Sequence, residues 1–130
     1  MVQLDLAKLN LEPVLSSMHE GVIVADVQGV IRFYNDTQGE MDDLNPQEVI
    51  GLPLTDIYQL DTTTSLIHQC LNRQKPIRNV TFFYQTHLGK QINILSHVHP
   101  LFDDGNLAGA INFSKDYQLL EKIIFDSPPR

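Results

Sequence analysis

The sequence has a single cysteine, Cys70, so no disulfide can close within the chain, and a reducing compartment suits it. Basic residues are also scarce: nine Lys and Arg stand against sixteen Asp and Glu, for a net charge of −7. The nine are scattered along the chain, and a polyanion needs a concentrated basic face, so direct contact with DNA or RNA is not expected. Long apolar runs are missing too. The longest, such as Val22-Ile23-Val24-Ala25, fall far short of the roughly 18 residues a membrane helix requires. The start, "MVQLDLAKLN", lacks the basic and apolar stretches of a signal peptide, which points to a soluble cytoplasmic protein.

What remains is ordinary globular composition, with 42% hydrophobic and 19% charged residues in 130. That length suits one domain with its own core. Leu4, Ala7 and Leu11, then Val14, Leu15 and Met18, recur at helical spacing on either side of a joint near Asn10–Pro13. Gly21 ends that segment. "GVIVAD" and "GVIRFYN" read as two strands joined through Val27-Gln28-Gly29, with Asp26 and Gly29 bracketing the turn.

The next stretch is interrupted by Gly39, Pro46, Gly51 and Pro53, so only short helical pieces fit there. A longer helix is expected from a threonine cap at Thr62–Thr64 to Arg73, with Leu66, Ile67, Cys70 and Leu71 on one face. Three strands follow, at 77–87, 91–102 and 107–114, with turns at Leu88–Lys90 and "DDGN". A short amphipathic helix, capped by Asp116, closes the chain with Leu119, Leu120, Ile123 and Ile124. Hairpins on both sides of a helical insert make an α+β fold with an antiparallel sheet.

Catalytic signatures are absent. No G-x-S-x-G elbow occurs, and Gly89-Lys90 lacks the rest of a phosphate-binding loop. Asp42-Asp43 and Asp103-Asp104 read as solvated loop pairs. His97 and His99 form an H-x-H pair, yet no cysteine or carboxylate lies near them in sequence to complete the three or four ligands of a zinc site. His87 sits near a turn, away from His97. No metal site is expected.

The order of elements, and the stretches "GVIVADVQGVIRFYN", "NPQEVIGLPLTDIY" and "LGKQINILSHVHPLFDDGNLAGAINFSKD", resemble the PAS sensor domain. The resemblance implies a five-stranded antiparallel sheet with short helices on one face and an N-terminal helix on the other. It divides the chain into a cap and dimerisation segment at 1–19, a core at 20–116, and an exit helix with linker at 117–130. The stretch from Leu71 to Ile123 is similar to the N-terminal PAS domain of sigma-54-dependent transcriptional activators of the arginine-catabolism type. Those proteins continue into an ATPase domain and a helix-turn-helix. PAS domains of histidine kinases and diguanylate cyclases remain an alternative.

In such a domain a ligand would sit between sheet and helices. Strand alternation places Ile92, Ile94, Ser96, Val98 and Pro100 on one face, with Asn93, Leu95, His97, His99 and Leu101 on the other. The first set makes the cleaner cavity wall, and the family's pattern turns it inward. A three-residue turn at Leu88–Lys90 would pair Tyr84 with Ile94 and Phe82 with Ser96. Ala110, Asn112 and Ser114 would join the inner face, as would Ile23, Ala25, Ile31 and Phe33. Met41, Leu44, Leu66 and Cys70 would close the pocket. The pocket candidates are therefore Phe33, Met41, Cys70, Phe82, Tyr84, Ile94, Ser96, Val98, Asn112 and Ser114, for a small metabolite. The plain alternative is a filled core.

Flavin is disfavoured because "VIGLPLTDIYQL" has no cysteine and Cys70 lies on the following helix. Haem is disfavoured because His68 points away from the Leu66/Cys70 face, and Thr63 occupies the position that aligns with the family's ligand. The outer face would carry Phe83, Leu95, His97, Ile111 and Phe113, too apolar to stay wet. Leu4, Leu11, Leu15 and Met18, from this chain or from the second copy of a homodimer, would cover it. Asp116, Leu120 and Ile124 would relay a signal to an attached effector domain. A dimerisation scaffold that binds no ligand is the rival.

Overall fold

The computed structural model describes residues 19–116. The expected N-terminal helix, with Leu4, Leu11, Leu15 and Met18, and the exit helix, with Leu120 and Ile124, lie outside the described residues. Within them, β1 (Gly21–Asp26) and β2 (Ile31–Tyr34) form the first hairpin. Four helices follow: α1 (Asp36–Asp42), α2 (Pro46–Val49), α3 (Leu54–Ile57) and α4 (Leu66–Arg73). The chain then runs through β3 (Ile77–Gln85), β4 (Gln91–Asp103) and β5 (Asn106–Asp116). The strands make one antiparallel sheet in the order β2-β1-β5-β4-β3, as the α+β reading requires.

The first hairpin turns on Asp26. Its carboxylate accepts from the amides of Gln28 and Val30 and pairs with the Arg32 guanidinium at 2.8 Å. Burial opposes that charge, and the Val30 amide, Arg32 and the Gln28 amide outweigh it, so the carboxyl sits below its usual value. Gly29 completes the turn at φ 79°, and any Cβ there would also strike the His68 ring, 2.5 Å from Nε2.

One residue in this hairpin departs from simple alternation. Ala25 pairs with Ile31 but Val24 pairs with Phe33, so Arg32 is the extra residue of a β-bulge. The bulge reverses the parity beyond it. Tyr34, opposite Ile23, faces the helices, and Phe33 faces out, contrary to its expected place in the pocket. Ile31 is drawn aside by a second partner, since its amide bonds Leu52 and its carbonyl receives Gly51.

Asn35 locks strand to helix. Its side-chain oxygen caps α1 through the Gln38 amide and also accepts from Val22, while its amide nitrogen donates to the Glu20 carbonyl. The breakers divide the helical region as expected, except that α1 runs through Gly39. There a Cβ would lie 2.7 Å from the Leu44 carbonyl. The α4 helix begins at Leu66 with Ser65 as its cap, not at Thr62–Thr64. Asp61 instead gathers Thr63 and Thr64 into a separate turn. Those bonds, led by the Thr63 hydroxyl, hold its carboxyl at about 2.

The β3–β4 loop has three residues, but they are His87, Leu88 and Gly89, one position earlier than the sequence suggests. Gly89, at φ 90°, takes the left-handed third position of a bulged three-residue loop, and Thr86 pairs with Lys90. The register therefore moves by two: Tyr84 pairs with Ile92, Phe82 with Ile94 and Val80 with Ser96. An even shift keeps every side chain on its expected face. At the next hairpin Asp104 and Gly105 both adopt positive φ, 52° and 80°, the pattern of a two-residue type I′ turn. The β5 strand continues to Asp116, two residues beyond the expected Ser114, and Asp116 pairs with Ile94.

The core lies between the sheet and α1–α4, built from Ile23, Ala25, Ile31, Val98 and Ala110 against Leu54, Leu66, Ile67 and Cys70. At Gly109, next to Ala110 in β5, β1 and β5 come very close: a Cβ would sit 2.2 Å from the Ala25 carbonyl oxygen on the neighbouring strand. Gly109→Ala is expected to lower stability by about 1–3 kcal/mol in urea unfolding, the usual cost of overpacking. An unchanged midpoint would mean that β1 and β5 are less closely apposed.

Candidate functional site

Asp42 is the last residue of α1 and is 1% exposed. A carboxylate there faces the negative end of the helix dipole, the unfavourable end for an anion. It is held instead by four neutral donors. The hydroxyls of Tyr34 and Tyr84 make very short bonds to it, Tyr58 Oη lies 2.5 Å away, and Gln38 Nε2 lies 2.9 Å away. Three of them converge on Oδ2, and Tyr84 serves Oδ1. Tyr34 comes from β2, Gln38 from α1, Tyr84 from β3, and Tyr58 caps the end of α3.

Each donor is placed by a feature described above. The bulge at Arg32 turns Tyr34 inward, and the β3–β4 register sets Tyr84. Tyr58 is fixed by an isolated bridge to Thr86, by Gln59 N bonding Gln85 O, and by His87 N bonding Ile57 O. His87 Nε2 also meets the Thr55 carbonyl at 2.8 Å. Tyr58 and Tyr84 pack edge to face at 5.2 Å between centroids.

Beside this cluster lies a cavity of about 40 Å³. Its wall is formed by Ile23, Leu54, Leu60, Leu66, Ile67, Phe82 and Ile94, with Gln38, Tyr58, Ser65, Tyr84 and Asn112 as polar points. Four of the ten pocket candidates therefore line it: Phe82, Tyr84, Ile94 and Asn112. Ser96, Val98 and Ser114 are buried on the same inner face but do not reach it. Ser96 donates to Asn112 Oδ1, and Asn112 Nδ2 donates to Ser114 Oγ at 3.0 Å, so these three form a chain of hydrogen bonds. Met41 is buried against Gly21, and Cys70 against the Lys75 carbonyl. Phe33 is on the other face. A more open hollow of about 310 Å³ runs along the β3–β4 edge and shares Phe82 and Ile94 as its wall.

His97 and His99 lie on the outer face, half-buried, with Phe113 between 6.3 and 6.5 Å from both rings. Phe83, Leu95 and Ile111 share that face, as their parity requires. Among the described residues no three His, Cys, Asp or Glu converge as a metal site, and no helix is long and apolar enough to cross a membrane.

Sequence reasoning missed the carboxylate at the centre. Asp42 beside Asp43 looks like a solvated loop pair, and Asp43 is one, exposed at φ 57° as the helix cap. The available signal was the spacing of Gln38 and Asp42, one helical turn apart on the face that also carries buried Met41.

A family model described as the PAS fold matches residues 9–116. The chain belongs to the PAS family. PAS domains are sensory rather than catalytic. The chain is 28% identical over 114 residues to the transcriptional activator RocR of Bacillus subtilis, covering 87% of this chain but only 25% of that protein. The PAS domain of nitrogen regulation protein NR(II) from Vibrio parahaemolyticus superimposes with a TM-score of 0.65 at 14% identity, covering 84% of this chain and 99% of that one. In the Escherichia coli DhaR(N)–DhaL complex the match has a TM-score of 0.65 at 20% identity, covering 81% and 34%. A LuxR-family regulator from Burkholderia thailandensis, whose PAS domain was crystallised with ethanol, gives 0.64 at 12%, covering 85% and 99%.

The tyrosine cluster has a measurable consequence in alkali. Burial and then the Asp42 charge push the Tyr34 and Tyr84 hydroxyls far above the ordinary tyrosine value, and Tyr58 moves the same way. The unfolded chain releases these protons near pH 10, and the folded one keeps them. Stability is therefore intact below pH 10 and falls above it, by up to about 4 kcal/mol per pH unit for three protons. Ultraviolet titration should find these three of the four tyrosines silent until the domain unfolds. Smooth ionisation of all four near pH 10 in the folded protein would contradict the cluster.

Proposed function

We propose that this PAS domain is the signal-input module of a sigma-54-dependent transcriptional regulator, acting in the cytoplasm as a homodimer on an attached ATPase and DNA-binding effector. The observation that carries the sensing role is the small, mainly apolar cavity between sheet and helices, with Tyr58, Tyr84, Gln38 and Asn112 as polar points. Similarity to a transcriptional activator supports the kind of effector. The chain spans about a quarter of that activator's length.

The cavity bounds the ligand. At about 40 Å³ it has room for a few small atoms, a water or two or a molecule the size of ethanol. Flavin and haem have no place in this reading. The route outward is short: Ile94, on the cavity wall, is the cross-strand partner of Asp116, where β5 hands the chain toward the effector. A ligand that favours one position of β4 over another would bias that strand end, as any two-state input must.

A second reading is favoured by the tightness of the same space. Phe82, Tyr58 and Tyr84 nearly fill it, which suits a dimerisation scaffold that works without a ligand. The two part in one titration. Ethanol added to the ¹⁵N-labelled protein should give saturable amide shifts confined to Phe82, Ile94, Asn112 and their neighbours. Shifts scattered over the surface, or none at all, would favour the scaffold.

A further inference from the structure

The polar atoms around the cavity are unbalanced in kind. Tyr58 and Tyr84 each own one hydroxyl hydrogen, and both hydrogens go to Asp42. Gln38 Nε2 spends its two hydrogens on Asp42 at 2.9 Å and on Tyr84 Oη at 3.2 Å. Asn112 Nδ2 gives one to Ser114. The donors left over are one Asn112 amide hydrogen and the rotatable hydroxyl of Ser65, whose oxygen caps α4. The acceptors are more numerous. Both phenol oxygens retain lone pairs on the cavity wall; Gln38 Oε1 is also buried with no hydrogen-bond partner, but it is turned toward Gly21. A buried acceptor left without a donor is uncommon and costly.

Charge points the same way. Asp42 is buried behind the lining tyrosines, and among the described residues no Lys, Arg or His forms an ion pair with it. Its partners are neutral, so its field reaches the cavity through the phenols it polarises. The rings of Tyr58, Tyr84 and Phe82 add aromatic surface to the wall, which attracts cations. An anion, or a molecule that only accepts hydrogen bonds, meets repulsion and unmatched lone pairs there.

We propose that the cavity selects a small hydrogen-bond-donating monocation of the ammonium or methylammonium class, held by the phenol oxygens of Tyr58 and Tyr84 under the field of Asp42. This rests on the sensing reading above and narrows it to one ligand chemistry. The ligand's N–H groups supply the donors that the site lacks, and its charge offsets the carboxylate.

The test compares methylammonium chloride with sodium chloride at equal ionic strength, with sodium acetate and with ethanol. Each is followed by amide shifts and by thermal unfolding of the whole chain. Methylammonium should give saturable shifts at Phe82, Ile94 and Asn112 and raise the melting temperature, and sodium acetate should match sodium chloride. Tyr84→Phe should weaken methylammonium binding about tenfold, and by more than it weakens ethanol entry. Acetate binding as well as methylammonium would overturn the proposal, and the wild-type salts decide this even if the variant does not fold. Ethanol entering equally well would overturn the cation preference and leave the sensing cavity in place. Entry by no probe would remove the sensing cavity itself.

Discussion

The fold is organised around a carboxylate in an unfavourable place. Asp42 sits at the negative end of α1, out of contact with water, and charge in such a site is tolerated only when it is well hydrogen-bonded. The donors come from four separate elements, so satisfying one residue fixes the positions of β2, α1, α3 and β3 together. Apolar packing between sheet and helices supplies the greater share of stability, but it is not directional. The hydrogen bonds to Asp42 are directional, and they set how the helical layer is seated on the sheet.

This explains several local irregularities at once. The bulge at Arg32 exchanges Phe33 for Tyr34 on the inner face, which brings a hydroxyl where a phenyl ring would have stood. The end of α3 is bridged to the end of β3, which brings Tyr58 against Tyr84. Gly21 carries no side chain where Gln38 Oε1 and Met41 Cε crowd in, at 2.3 and 2.5 Å from where a Cβ would be. The cavity is the space that the cluster and the apolar wall leave between them. Its position next to Ile94, and so next to the last pair of β5, gives the cluster a mechanical link to the end of the sheet.

Much of this was legible in the sequence. Alternation in β4 separated Ile94, Ser96 and Val98 from His97 and His99, and burial follows that division. Glycine and proline located the short helices, and Asp104-Gly105 located the last hairpin. Two kinds of feature were not legible. A bulge inserts one residue without changing composition, so nothing around Arg32 announced that Phe33 and Tyr34 would trade faces. The tyrosine partners of Asp42 lie 8, 16 and 42 residues away in sequence, and only the fold brings them together. Position within the loop was a smaller error of the same kind: the glycine had to be last in the β3–β4 turn, and placing it in the middle moved the register by two.

The seating of the helices on the sheet depends on Asp42 and its tyrosines acting as a unit. A double-mutant cycle of Asp42→Asn and Tyr84→Phe, read by urea unfolding at pH 7, measures that directly. Loss of either partner should cost stability, and the double variant should cost less than the sum, with a coupling of about 1–3 kcal/mol. Additivity within about 0.5 kcal/mol would mean that the two groups merely lie close together, and that packing alone seats the helices on the sheet.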